Sequence, residues 1–152
     1  MTALGDFSSG DVLTAADMNA IGTYVSYTPT FIDLTVGNGV INFTYSKINK
    51  FVHVHGTLTF GSTTSITATP VMSLPVAKIN IGLEAIGTGY LGDSGTATYM
   101  MYPLAISTTT VALFRADHTV GSTVVEGAAT ATSPFTWTTG DRINVNLSYE
   151  AA

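Results

Sequence analysis

His53 and His55 are the residues best placed to do chemistry in this chain of 152 amino acids. They stand one residue apart within Phe51-Val52-His53-Val54-His55-Gly56-Thr57-Leu58-Thr59-Phe60. In an extended strand that spacing puts both imidazoles on one face, about 7 Å apart, where they can ligate zinc, nickel or iron. Two ligands do not complete a site. The third histidine, His118, is distant in sequence, and Asp117 beside it offers one more oxygen. A metal centre at His53 and His55 would need partners brought in by the fold or by a symmetry axis. Otherwise the pair is a polar strand face, solvated or at an interface.

Other chemistries have less behind them. Gly92-Asp93-Ser94-Gly95 repeats four letters of the motif around the serine-protease nucleophile, but Thr96-Ala97 follow where glycine and proline are required. Ordinary turn chemistry accounts for the same residues. The ten acidic residues are scattered and form no pair suited to glycoside cleavage, and Asp141, in Thr139-Gly140-Asp141, reads as a turn residue bonding its own backbone. No glycine-rich loop opens a helix, so phosphates have no cradle. Neither a catalytic residue nor a cofactor is expected. Exposed rings could stack on sugars, and among Tyr90, Tyr99, Tyr102, Phe135 and Trp137 the glycan-binding candidates are Trp137, Tyr102 and Tyr99. Core or interface packing competes for the same rings.

The elements that must position these residues are strands. From Phe51 the chain alternates, with Val52, Val54, Leu58 and Phe60 on one face and Phe51, His53, His55, Thr57 and Thr59 on the other, which predicts a long strand buried on one side. Val40 to Ser46 alternates too, placing Ile41, Phe43 and Tyr45 together, and Lys47-Ile48-Asn49-Lys50 joins the two as a hairpin. Ahead of them, Phe7-Ser8-Ser9-Gly10-Asp11 is turn-rich, and Thr14 caps a short helix over Ala15 to Ile21 with Asp17 completing the box and Gly22 as the stop. Leu13, Met18 and Ile21 make too small a stripe for that helix to fold alone, so it must dock on its own domain or on a neighbouring subunit.

Short strands are expected at Thr23 to Tyr27 and Phe31 to Val36, then a hairpin turn at Gly37-Asn38-Gly39. Segments at Ser65 to Thr67 and Val71 to Leu74 are bounded by Pro70 and Pro75, and Ile81 to Leu91 reads as a long strand whose glycines signal a bulge or a close backbone approach. Strands at Thr96 to Tyr102 and Thr110 to Arg115 follow. Thr119 to Ser133, with Val124 and Val125 as its apolar anchors, reads as a loop or weak edge strand. Phe135 to Thr138 and a final strand close the chain, Ile143, Val145, Leu147 and Tyr149 alternating with Arg142, Asn144, Asn146 and Ser148. The pattern predicts an all-β fold, an antiparallel β-sandwich or jelly roll with a short amino-terminal helix. Residues 1–22 are an attachment or inter-subunit segment, and 23–152 the β-domain.

Composition narrows the partners. Only 10% of residues are charged and 45% are hydrophobic, against about 25% charged in ordinary domains, so part of the apolar excess belongs at subunit interfaces. There is no cysteine, which excludes disulfides and thiolate metal sites. The net charge is -5, with Lys47, Lys50, Lys78, Arg115 and Arg142 scattered, so no nucleic-acid partner is expected. No run approaches the roughly 20 apolar residues of a membrane span, and the amino terminus lacks the basic-then-apolar pattern of a signal peptide. A soluble chain, not conventionally secreted, is expected.

Gly10-Asp11-Val12-Leu13-Thr14-Ala15-Ala16-Asp17-Met18-Asn19-Ala20 resembles a short amino-terminal segment of structural proteins of tailed bacteriophages, especially minor tail and fibre-like proteins of phages infecting actinobacteria. Tyr27-Thr28-Pro29-Thr30-Phe31, Gly37-Asn38-Gly39, Tyr45-Ser46-Lys47-Ile48-Asn49-Lys50, Leu58-Thr59-Phe60-Gly61-Ser62-Thr63-Thr64-Ser65 and Ser73-Leu74-Pro75-Val76 are similar to the β-domain of the same proteins. In many of these the hairpin turn is Ile-Gly-Lys, and here Asn49 stands for the glycine. Phe135-Thr136-Trp137 with Gly140-Asp141-Arg142-Ile143-Asn144-Val145 resembles the last strands of trimeric jelly rolls of the complement and tumour-necrosis-factor type.

The resemblance implies a non-enzymatic virion protein, assembled in the host cytoplasm and displayed on the tail or the capsid surface as a decoration or head fibre. It also implies a homotrimer contacting other phage virion proteins, and the Met1 start suggests a freestanding product. The alternative expectation is a module that binds a host cell-wall glycan during adsorption.

Overall fold

The computed structural model describes residues 10, 12, 14–80, 82–119 and 123–152, the side chains of 118, 119 and 123–126 excepted. Leu13, Ile81, the turn before Asp11 and the side chains of His118, Val124 and Val125 therefore lie outside the described residues. A helix, α1 (Ala15–Ala20), is followed by β1 (Val25–Tyr27), β2 (Phe31–Thr35), β3 (Val40–Ile48), β4 (Phe51–Thr59) and β5 (Ser65–Ser73). Then come β6 (Glu84–Ala85), β7 (Gly87–Asp93), β8 (Ala97–Ala105), β9 (Thr110–Thr119), β10 (Thr123–Gly127) and β11 (Arg142–Glu150).

The strands form one antiparallel sheet in the order β1-β3-β4-β11-β7-β8-β9-β5-β2, with β6 beside β8 and β10 beside β9. It curls on itself. Its two ends meet where the Tyr27 hydroxyl of β1 donates to the Ser73 carbonyl of β5, and the Thr30 amide donates to Ser73 Oγ at 3.0 Å. The expected all-β architecture is present, with sandwich-like packing made by one continuous sheet whose inward residues share a single core. Val52, Val54, Leu58, Leu91, Leu113 and Leu147 are completely buried there.

The β3–β4 hairpin follows the sequence pattern. Phe43 and the β4 residues Val52, Val54 and Leu58 are buried, and Asn49 turns the chain at φ 52, the left-handed conformation that asparagine tolerates. Gly56 lies opposite Phe43, whose ring occupies the space a side chain would take: a Cβ on Gly56 would lie 2.2 Å from Phe43 Cγ. The glycines of β7 are likewise demanded by close backbone, since Cβ atoms on Gly87 and Gly89 would fall 2.1 Å from carbonyl oxygens of Asn146 and Asn144.

Three local expectations are corrected. Gly37-Asn38-Gly39 is not a hairpin turn, because β2 pairs with β5 while β3 pairs with β1 and β4; the turn carries the chain between opposite ends of the sheet. The segments around Pro70 form one strand, because Thr67 to Pro70 lie in a register shift opposite Asp33, at φ 62, where no ladder N–H is required of the proline. The long strand ending at Leu91 is broken at Ile86 into β6, which pairs with β8, and β7, which lies between β11 and β8. The weak edge strand within Thr119 to Ser133 is present as β10.

Helix α1 has the expected capping box between Thr14 and Asp17, and this bonding holds the exposed Asp17 carboxyl below its usual range. It contributes no buried residue to the domain, and Met18 and Ile21 stay exposed. At the opposite extreme, Lys78 is 2% exposed, its ammonium held 2.8 Å from Glu84 and 3.0 Å from the Ile79 carbonyl.

Gly56→Ala is expected to lower unfolding free energy by about 1–3 kcal/mol through overpacking, and Phe43→Leu in the same chain to recover part of that loss, read by urea denaturation. Burial pushes the Tyr27 and Tyr149 hydroxyls above their ordinary value of 10.0. The unfolded chain therefore releases these protons first, so their stabilisation is complete below pH 10 and lost as pH rises further. Melting temperature is expected to fall above pH 10, and to fall less steeply in Tyr149→Phe.

Candidate functional site

The histidine strand lies in the middle of the sheet half formed by β1, β3, β4, β11 and β7, so its neighbours are set by register. Ser46, His53 and Ser148 stand side by side across β3, β4 and β11. The next outward-facing row is Ser26, Thr44, His55, Asn146 and Thr88, and the next is Asn42, Thr57, Asn144 and Tyr90. Every member is a hydroxyl, an imidazole or a carboxamide. The rows enclose a concavity of about 450 Å3 whose lining includes Asn42, Thr44, His53, His55, Asn144 and Asn146, and no charged side chain.

Tyr24 borders it. Gly22 ends α1 at φ +75 and packs so close to Ile48 that a Cβ there would be 3.2 Å from Ile48 Cδ1. The chain then enters β1 with Tyr24 on the outer face, reaching across the small, buried Ser46. Its hydroxyl lies 2.8 Å from His53 Nδ1, and its ring meets both imidazoles edge-on, at 5.9 Å from His53 and 4.9 Å from His55. On the other side His53 Nε2 is 3.0 Å from Asn146 Oδ1. A carboxamide oxygen only accepts, so His53 Nε2 donates to Asn146 while Nδ1 pairs with the Tyr24 hydroxyl. His55 Nε2 pairs with Thr44 Oγ1 at 3.2 Å, and Asn144 Nδ2 donates to Thr57 Oγ1 at 3.0 Å.

The imidazole centroids are 5.8 Å apart, so the shared face is as expected. Among the described residues no group of three or more His, Cys, Asp or Glu side chains could hold a metal. Asp117 is paired with Arg115 at 2.7 Å. Both His53 nitrogens are already engaged, which leaves the pair poorly suited to ligation within one chain.

The aromatic candidates separate. Trp137 stacks on Phe60 at 4.6 Å and lies 4.4 Å from Phe135, and its indole N–H donates to the Thr130 carbonyl at 2.9 Å. Tyr99 packs against Phe135 at 5.5 Å. Tyr102 projects from the outer face of β8 and stacks on Phe114 at 6.1 Å. Trp137 and Tyr99 thus belong to one cluster at an end of the core, and Tyr102 to another surface. The residues missed as a site are Asn42, Tyr24, Asn144 and Asn146; the alternation of asparagines with apolar residues in β11 was the available signal.

Asp141 is completely buried and ties two turns together. Its carboxylate accepts from the Ser94 amide at 2.9 Å and from the backbone and hydroxyl of Thr138. Ser94 is thereby a turn residue held through its amide, and no histidine bonds to it among the described residues. No protein-family model, curated protein or solved structure matches the chain.

Asp141→Ala leaves buried donors without an acceptor and is expected to cost about 2–4 kcal/mol of stability by urea denaturation. Ser94→Ala, which keeps the amide, is expected to be neutral.

Proposed function

We propose that the chain is a non-enzymatic structural component of a phage virion, a homotrimer displayed on the tail or the capsid surface, with the amino-terminal segment as its attaching element. The amino-terminal and β-domain motifs supply the virion assignment, and the jelly-roll-like motif around Trp137 supplies the threefold assembly. Helix α1 suits the attaching role because it is capped, gives no residue to the core and keeps Met18 54% exposed.

The observation that carries the assembly is the outer face of β8 and β9. On β8, Met101, Pro103 and Ala105 point inward and are buried, so Met100, Tyr102 and Leu104 point outward. Across the ladder Tyr102 meets Phe114 and Leu104 meets Ala112, and Val71 of β5 continues the row from Ala112. An apolar sheet face in a chain with so little charge is the surface a second copy would cover. Met100, at its margin beside Tyr90 of β7, is 64% exposed in the single chain. A second reading, adsorption to a host cell-wall glycan, is favoured by the uncharged polar face of β3, β4 and β11.

Sedimentation at micromolar concentration is expected to give three chains per particle. Met100→Glu is expected to give monomers with unchanged circular dichroism, since the position is exposed and off the core. A monomeric parent chain would overturn the assembly, and purified virions that bind no antibody against the chain would overturn the location.

A further inference from the structure

We propose that the outer face of β3, β4 and β11 is a binding groove for an uncharged saccharide, contacted by Asn42, Asn144, Asn146 and His55, with Tyr24 as its wall. The proposal rests on the glycan-binding reading and moves its site away from Trp137, Tyr99 and Tyr102.

Size and rigidity permit it. A concavity of about 450 Å3 falls in the range of about 300–1,000 Å3 typical of small-ligand sites. Its side chains stand on mid-sheet strands whose opposite face is core: Val54, Val145 and Leu147 are at most 1% exposed. The backbone under the groove is therefore fixed by packing, and groups on such elements hold their positions better than groups on loops.

The hydrogen-bond network selects the chemical class. Asn146 uses its oxygen on His53, so its amide hydrogens are directed elsewhere. Asn144 uses its nitrogen on Thr57, which leaves its carbonyl oxygen as an acceptor. His55 spends Nε2 on Thr44, leaving Nδ1. The Asn42 carboxamide has no hydrogen bond among the described residues and can both donate and accept. The remaining groups are thus a fixed mixture of donors and acceptors with no formal charge. A ligand hydroxyl donates and accepts at once and matches such a mixture, whereas an ionic ligand would be desolvated without a counter-charge. A polyol ring is the simplest molecule presenting several hydroxyls at this spacing. Tyr24, 48% exposed and already in contact with both imidazoles, offers a ring for its apolar face.

The test is titration of the full chain with glucose, galactose, mannose, N-acetylglucosamine and cellobiose. Glucuronate serves as the charged counterpart and zinc chloride is added alone. Binding is followed by calorimetry and by the imidazole resonances. At least one neutral saccharide is expected to bind and to shift His53 and His55, with glucuronate weaker. Asn42→Ala and Asn144→Ala, both on the solvent side of the sheet, are each expected to weaken binding about tenfold, and Trp137→Phe and Tyr102→Ala to leave it unchanged. Saccharide binding that survives the asparagine variants and is lost in Trp137→Phe or Tyr102→Ala would overturn the groove and leave the glycan reading standing. No binding by any saccharide would overturn both, and tight zinc binding at the imidazoles in place of sugar would overturn the assigned ligand class.

Discussion

β4 is held between β3 and β11 in one register, and burial of its inward residues is what fixes that register. Val52, Val54 and Leu58 are completely buried, and their β11 partners Tyr149, Leu147 and Ile143 are at most 6% exposed. A slip of one residue would carry these side chains into solvent and drive His53 and His55 into the core, so the apolar pattern leaves a single pairing. Gly56 and Phe43 pin it further, since the ring fits only over a residue without a side chain. The polar groove is the reverse side of this core: the alternation that buries Leu147 and Val54 is what lines up Asn146, His55 and Thr44 outside.

The other half of the sheet divides its faces differently. β8 and β9 bury Met101 and Leu113 inward and still carry Met100, Tyr102, Leu104 and Phe114 outward. The middle of the first half thus presents hydroxyls, amides and imidazoles, flanked by exposed Val40, Ile48 and Phe51, whereas the β8–β9 row is mostly apolar. Curling closes the sheet, with Tyr27 and Ser73 joining the ends, and the polar rows run into the apolar one where Tyr90 pairs with Met100. The proposed contact with a like chain and the proposed saccharide groove would use different parts of the outer surface of one chain. Buried polar pins at the two ends, Lys78 with Glu84 and Asp141 with Ser94 and Thr138, hold the loops between strands without contributing to either face.

Much of this was legible in the residues. The β3–β4 hairpin, the capped helix and the last strand follow from periodicity and capping, which are local. The pairing of β2 with β5 was not, because Gly37-Asn38-Gly39 has the composition of a hairpin turn whichever way the next strand goes, and long-range closure decides. Pro70 has the character of a boundary because a proline cannot donate to a ladder; that the ladder opens at that place is a property of the partner strand. The histidine pair was visible from its spacing. Its partners were not, since Tyr24, Asn42 and Asn146 come from three other stretches and only the registers Thr44 with His55 and Asn146 with His55 assemble them. Trp137 stands out as the only tryptophan, yet its indole N–H and ring are consumed by packing.

The claim that the two outer faces serve different purposes is tested most directly by hydroxyl-radical footprinting of the intact protein at micromolar concentration, with residue-level readout by mass spectrometry. Met100, Tyr102 and Phe114 are expected to be protected relative to the dissociated chain, and His53 and His55 to be labelled equally in both. Labelling of Met100 at the rate its 64% exposure in the single chain dictates, with protection at His53 and His55 instead, would contradict it.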